Sequence, residues 1–190
     1  MSAVHTELLI VGAGPYGLAT AAYAGQRGID YLAVGDPMGF WKRHMPKGML
    51  LRSGVDWHLD AQGVYTFEAY LAARQMDPAA VLPISLERYL DYAAWFQSAA
   101  GVAVDPSLVT LLRSASDGYE AELADGRRVL AANVVVAIGI RHFGHVPSEL
   151  AANLPAARYA HTCDLVDFAK LRGRRCLIVG GRQSAFEWAA

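Results

Sequence analysis

Three glycines constrain this chain more than any other feature. Gly12, Gly14 and Gly17 stand as G-x-G-x-x-G in the stretch VGAGPYG, directly after the short apolar run Leu8 to Val11. A continuous apolar run of that length predicts a strand buried on both faces, as in a parallel sheet. Pro15 to Arg27, rich in Ala, Leu and Tyr, predicts a helix that Gly28 closes. Tyr31 to Val34 predicts a second strand. In a strand–turn–helix of this kind each glycine has its own task. Gly12 permits the tight turn, Gly14 lets a diphosphate approach the backbone, and Gly17 lets helix and strand pack closely. The helix N-terminus, entered through Pro15 and Tyr16, then offers free N–H groups and the positive end of its dipole to phosphate. An acidic residue near the end of the second strand reads the ribose in such units. Asp36, 19 residues beyond Gly17, is the candidate.

The remaining chain extends this plan. Residues 35–63 hold turn formers and the aromatics Phe40, Trp41 and Trp57, and predict a long functional loop with one short helix. Thr66 to Gln75 and Ser85 to Ser98 predict helices, the second with Leu86, Leu90, Ala93 and Phe96 at helical spacing. Leu108 to Arg113, Tyr119 to Leu123 and Arg128 to Leu130, separated by Asp-Gly turns, predict a small antiparallel meander. Asn133 to Ile138 predicts a further parallel strand ending at Gly139. Arg175 to Val179 predicts another, leading through GGRQSA into a helix beginning at Ser184. The expected class is α/β: a Rossmann-like parallel sheet with helices and an antiparallel β-meander in residues 1–150, then a linker and the first strand–turn–helix of an incomplete second Rossmann-type unit in 151–190. A chain stopping inside such a unit reads as a piece of a longer protein.

Composition removes several classes. Seventeen basic against 18 acidic residues leave no basic stripe for nucleic acid. No apolar stretch reaches the roughly 18 residues a membrane helix needs. The N-terminus has no basic leader of the secretory kind. Cys163 and Cys176, thirteen apart, match neither a disulfide framework nor a metal spacing, and suit a reducing cytoplasm. The histidines, His44, His58, His142 and His145 among them, pair with no Cys or carboxylate at ligand spacing and read as loop or surface residues, so no metal is expected. Ser53 and Ser184 sit in no nucleophile elbow.

At four places the chain resembles the two-dinucleotide-binding flavoproteins, and within them the flavin-containing and N-hydroxylating monooxygenases. Gly12 to Ala19 (GAGPYGLA) looks like their FAD fingerprint. Gly39-Phe40-Trp41 is similar to their Gly-Gly-x-Trp segment, with Phe40 and a shorter spacer as departures. Val134 to Gly139 (VVVAIG) resembles the strand that closes the FAD part, Ile138 replacing Thr. Val179 to Ala189 (VGGRQSAFEWA) resembles the second fingerprint, with Arg182 in place of the middle glycine. In the linker His161 and Thr162 match the Baeyer–Villiger signature, but Pro155 and Ala157 replace its Phe and Gly, so that reaction is not expected.

The resemblance implies an oxidoreductase that binds FAD through Gly12, Gly14, Pro15, Tyr16, Gly17, Asp36, Trp41, Arg52 and Gly139. It implies NAD(P)H binding through Gly180, Gly181, Gln183 and Ser184. It further implies that the parent enzyme oxygenates a small molecule through a flavin hydroperoxide, the cofactor carrying the chemistry; spacing points to no catalytic side chain. Two other readings remain open. One is a non-catalytic FAD-binding module. The other is a thioredoxin-reductase-type flavin reductase, which needs a redox cysteine pair that the loop at residues 36–60 does not contain.

Overall fold

A computed structural model describes residues 3–189. Its strands are β1 (Val4–Val11), β2 (Tyr31–Val34), β3 (Leu50–Leu51), β4 (Ile84–Ser85), β5 (Val109–Ala115), β6 (Gly118–Leu123) and β7 (Arg128–Val136). Its α-helices are α1 (Pro15–Gln26), α2 (Gly39–His44), α3 (Phe67–Ala73), α4 (Leu86–Ala99), α5 (Ser148–Ala151) and α6 (Gln183–Ala189). One five-stranded sheet runs in the order β2-β1-β7-β6-β5. Its first three strands are parallel, with Ile10 level with Ala33 on one side and with Val135 on the other. The last three are antiparallel.

The strand pairing corrects one expectation. Arg128 to Leu130 and Asn133 to Ile138 are not two strands but parts of the single strand β7, which ends at Val136. Nothing between them breaks an extended chain. Ala131 pairs with Tyr119 of β6 on one edge and Thr6 of β1 on the other. The meander is therefore hydrogen-bonded into the parallel sheet instead of standing apart. The Asp125-Gly126 hairpin is present, with Gly126 at φ +85°. A second expectation fails: no strand forms over 175–179, where Leu177 is 89% and Val179 73% exposed. A parallel strand is held by hydrogen bonds to neighbours, and no described strand runs alongside these residues. Glycine turn and helix do follow, the helix starting at Gln183, one residue before the expected Ser184.

Alternation along β1 separates two cores. Ile10 faces a large cluster with Leu18, Ala21 and Ala22 of α1 and the aromatics of α3 and α4. Leu9 faces the other way, onto Val34, Ala121, Leu123, Val129 and Ala131. The helix caps are local chemistry: the Thr66 hydroxyl accepts from Ala69 N and the Ser85 hydroxyl from Arg88 N. Between α3 and α4, Phe67, Tyr70, Tyr92 and Phe96 are fully buried, and the Phe67 and Tyr92 rings meet edge to face at 4.9 Å.

Tyr92 also ties this aromatic core to the loop that precedes α3. Its hydroxyl accepts from Leu59 N and donates to Tyr65 O, both at 2.9 Å. Burial pushes its pKa up to about 12, so the phenol stays neutral and keeps both bonds at any physiological pH. Tyr92→Phe is expected to cost about 1–3 kcal/mol, because Leu59 N is left unpaired in the interior. Chemical denaturation followed by tryptophan fluorescence measures it, and an unchanged midpoint would refute this role for the hydroxyl.

Candidate functional site

The carboxyl ends of the three parallel strands converge on the first glycine turn. Gly12, at φ +110°, leaves β1 in a conformation that side chains rarely adopt. Its N–H donates to Val34 O of β2 at 2.8 Å, and Ala137 N, just past β7, donates to Val11 O at 2.7 Å. A Cβ on Gly12 would lie 2.3 Å from Ala137 O, and one on Gly17 would lie 1.8 Å from Gly12 O. Turn, helix and closing strand thus meet backbone against backbone. Gly14 differs. It is the N-cap of α1, at φ −76°, and its Cβ position has no neighbour within 4 Å. Pro15 opens the helix, where its missing N–H costs nothing. No side chain caps this end, and no acidic residue lies in its first turn. Tyr16 beside it is 81% exposed. The result is a helix N-terminus with unspent N–H donors, a positive dipole end and open space above Gly14: a seat for an anion, and a fit for a diphosphate.

The segment after β2 forms the second wall. Gly35, at φ +138°, donates to Asp105 O at 2.8 Å, and its Cβ would approach Ala13 N to 3.1 Å. Met38 N donates to Ala13 O at 2.9 Å. The residue immediately after β2 is therefore one that cannot carry a side chain toward the turn. Asp36 follows, and its carboxylate turns onto the Arg43 guanidinium, over the start of α2. Trp41 packs edge to face on Tyr89 at 4.8 Å, on the core side of α2. Gly139, at φ +68°, lets the chain turn away after β7.

Gly12, Gly14, Pro15, Tyr16, Gly17, Asp36 and Gly139 thus gather at one end of the sheet. Trp41 supports that wall from behind. Arg52 is elsewhere: its Nε meets Glu187 Oε1 of α6 at 2.9 Å. The long loop is so linked to the second glycine motif, where Gly180 has φ +149° and Gly181 has no neighbour at its Cβ position. Gln183 and Ser184 begin α6. Sequence reasoning missed Gly35, whose signal was its place straight after β2, and Ala137, whose carbonyl fills the space a Gly12 side chain would take. It also took His44 for a loop or surface residue. His44 ends α2 with 5% exposure, its ring stacked on Phe40 at 5.2 Å; the signal was the four-residue spacing of two rings on one helix face. Among the described residues no cluster of His, Cys, Asp and Glu could hold a metal. No described helix is long and apolar enough to cross a membrane.

The family model for pyridine nucleotide-disulphide oxidoreductase matches residues 9–190. A FAD-dependent urate hydroxylase of Xanthomonas campestris is 36% identical over 104 residues, which is 52% of this chain and 22% of that protein. A ferredoxin–NADP reductase of Thermus thermophilus is 28% identical over 194 residues, all of this chain and 50% of that one. Among solved structures, a flavin-containing monooxygenase of Stenotrophomonas maltophilia superposes with a TM-score of 0.58 at 22% identity. It matches 76% of this chain and 41% of its own. The chain therefore spans half or less of the length of these relatives, and the structural likeness concerns the fold.

Proposed function

The chain belongs to the pyridine nucleotide-disulphide oxidoreductase family, residues 9–190 matching it, and from that premise we propose that residues 1–150 form a FAD-binding unit and 151–190 begin an NAD(P)H-binding one. The observation that carries the reading is the α1 N-terminus: donors unspent, Gly14 open, and Gly12 and Gly17 locked where any side chain would collide. Main-chain N–H groups at Gly14, Tyr16 and Gly17 would hold the diphosphate of FAD, with Gly139 leaving room beside it. Asp36 would lie toward the ribose, held by Arg43. Bound flavin supplies two-electron redox chemistry. The chain's own part is to bind, orient and screen it from water, Trp41 and α2 forming the wall on one side.

Two uses of the flavin are supported. The 104-residue likeness to a hydroxylase and the sequence fingerprints favour oxygenation of a small molecule by the whole protein. The end-to-end likeness to a ferredoxin–NADP reductase favours electron transfer. Among the described residues no cysteine pair is formed: Cys163 is buried and Cys176 exposed, both free, and burial pushes the Cys163 thiol up. The test is a titration of the purified, folded chain with FAD. Uptake of one flavin per chain, with its visible absorption band and quenched emission, is expected. A folded chain that takes up none overturns the reading. In a longer protein carrying this chain, NAD(P)H-driven oxygen consumption marks an oxygenase, and reduction of an iron–sulfur protein marks a reductase.

A further inference from the structure

Beyond the glycine turn, a second pocket opens at the same end of the sheet, lined by His44, Arg141, His142, Cys163, Asp164 and Leu165. Its far wall is the linker packed against the loop after β7. A Cβ on Gly144 would lie 2.9 Å from His161 Nδ1, and Cys163 Sγ lies 3.7 Å from Ile140 O. The linker's polar groups are spent on each other: Cys163 N donates to His161 Nδ1 at 3.0 Å, and His161 N to Asp164 Oδ2 at 2.7 Å. The rest of the lining, His44 of α2 with Arg141 and His142 of the loop after β7, is different. His44 is 5% exposed, and neither of its ring nitrogens has a partner. Arg141 and His142 join no ion pair among the described residues.

A buried imidazole carries an N–H donor in either tautomer, and a buried donor without an acceptor is costly. The guanidinium has donors only. His44, buried, needs an acceptor, and the exposed Arg141 guanidinium beside it has donors free to share one; a group that serves both is a small oxyanion, which arginine binds in two-point fashion. We propose that this pocket is a subsite for such an oxyanion, carboxylate or phosphate in class, held between His44 and Arg141. It is separate from the diphosphate seat above Gly14 and does not depend on the flavin reading.

The full chain, labelled with 15N in histidine, is titrated with inorganic phosphate and, separately, with acetate, and the His44 ring signals are assigned through His44→Phe. A saturable shift of those signals with one anion, the His5 signals staying fixed, is expected; which anion saturates identifies the class. Arg141→Gln, a change at an exposed side chain that leaves the fold intact, is expected to weaken binding at least about tenfold. A shift that never saturates with either anion overturns the proposal, as does equal affinity in Arg141→Gln. So does stoichiometric displacement of the anion by FAD, which would make the pocket part of the diphosphate seat. A chain that binds no FAD can still show the saturable shift, so the two readings fail separately.

Discussion

Gly17→Val is expected to leave no folded protein, whereas Gly14→Val is expected to leave a folded protein that no longer takes up flavin. The two glycines lie three positions apart in one turn, and the difference is in what surrounds them. At Gly17 the first added carbon would sit 1.8 Å from Gly12 O and 2.8 Å from Gly12 C. Those atoms are backbone, and Gly12 is itself held by its bond to Val34 O. Relief requires α1 to lift from β1, which uncovers Leu18, Ala21 and Ala22 from the main core. A collision of this kind exceeds about 4 kcal/mol, against a stability of about 5–15 kcal/mol for a typical domain. At Gly14 the added carbons meet nothing, and φ −76° suits any residue. The folded state loses only the preference for glycine at an N-cap, about 1 kcal/mol, but the new side chain occupies the space the diphosphate needs. Circular dichroism and FAD titration on both variants separate the cases. Full flavin uptake by Gly14→Val would overturn the assignment of the site, and a normally folded Gly17→Val would overturn the packing argument.

The same turn shows what the sequence makes legible. An apolar run, three glycines at fixed offsets, a proline and a capping glycine are all local, and each dictates a backbone state without reference to the rest of the chain. Hence β1, α1, β2 and the Asp125-Gly126 hairpin stand where residue order places them. Features decided by distant partners were not readable. Whether Arg128 to Val136 is one strand or two depends on β1 and β6 lying on opposite edges of it. How the Asp36 carboxylate is held depends on Arg43, seven residues further on in α2. That His44 shares a pocket with the linker some 120 residues further on is likewise a matter of tertiary return, about which sequence spacing says nothing. Arg175 to Val179 has the composition of a buried strand, but hydrogen-bonding neighbours, not composition, make a strand.

The long loop that carries α2 and Arg52 is pinned at its far end by one carboxylate, and its removal is the other large effect expected. Asp60 is 2% exposed. Its Oδ1 accepts from Gln62 N at 3.1 Å, and its Oδ2 from Val64 N at 3.0 Å and Tyr65 N at 2.8 Å. Tyr92 holds the preceding residue, Leu59, so carboxylate and phenol together fix the path from the loop into α3. Asp60→Ala orphans three N–H groups at once and is expected to cost about 3 kcal/mol, more than any one neutral hydrogen bond contributes. The charge has its own signature. Burial alone pushes this carboxyl up, but the backbone donors, Tyr65 foremost, outweigh it and hold the folded-state pKa below the ordinary value. In the unfolded chain the group titrates near about 3.9. A pKa lower in the folded state means that the unfolded state binds the proton more readily. The stabilisation is therefore complete above the unfolded value and is lost as pH falls through the folded one. The difference in denaturation midpoint between the native chain and Asp60→Ala is thus expected to be constant from about pH 7 to about pH 5 and to shrink below about pH 4. Asp60→Asn, which keeps one acceptor oxygen, is expected to fall between them with a smaller dependence on acid. A gap that stays constant into strong acid would show that the charge on Asp60 contributes nothing beyond its acceptor oxygens, and would overturn the expected pH dependence.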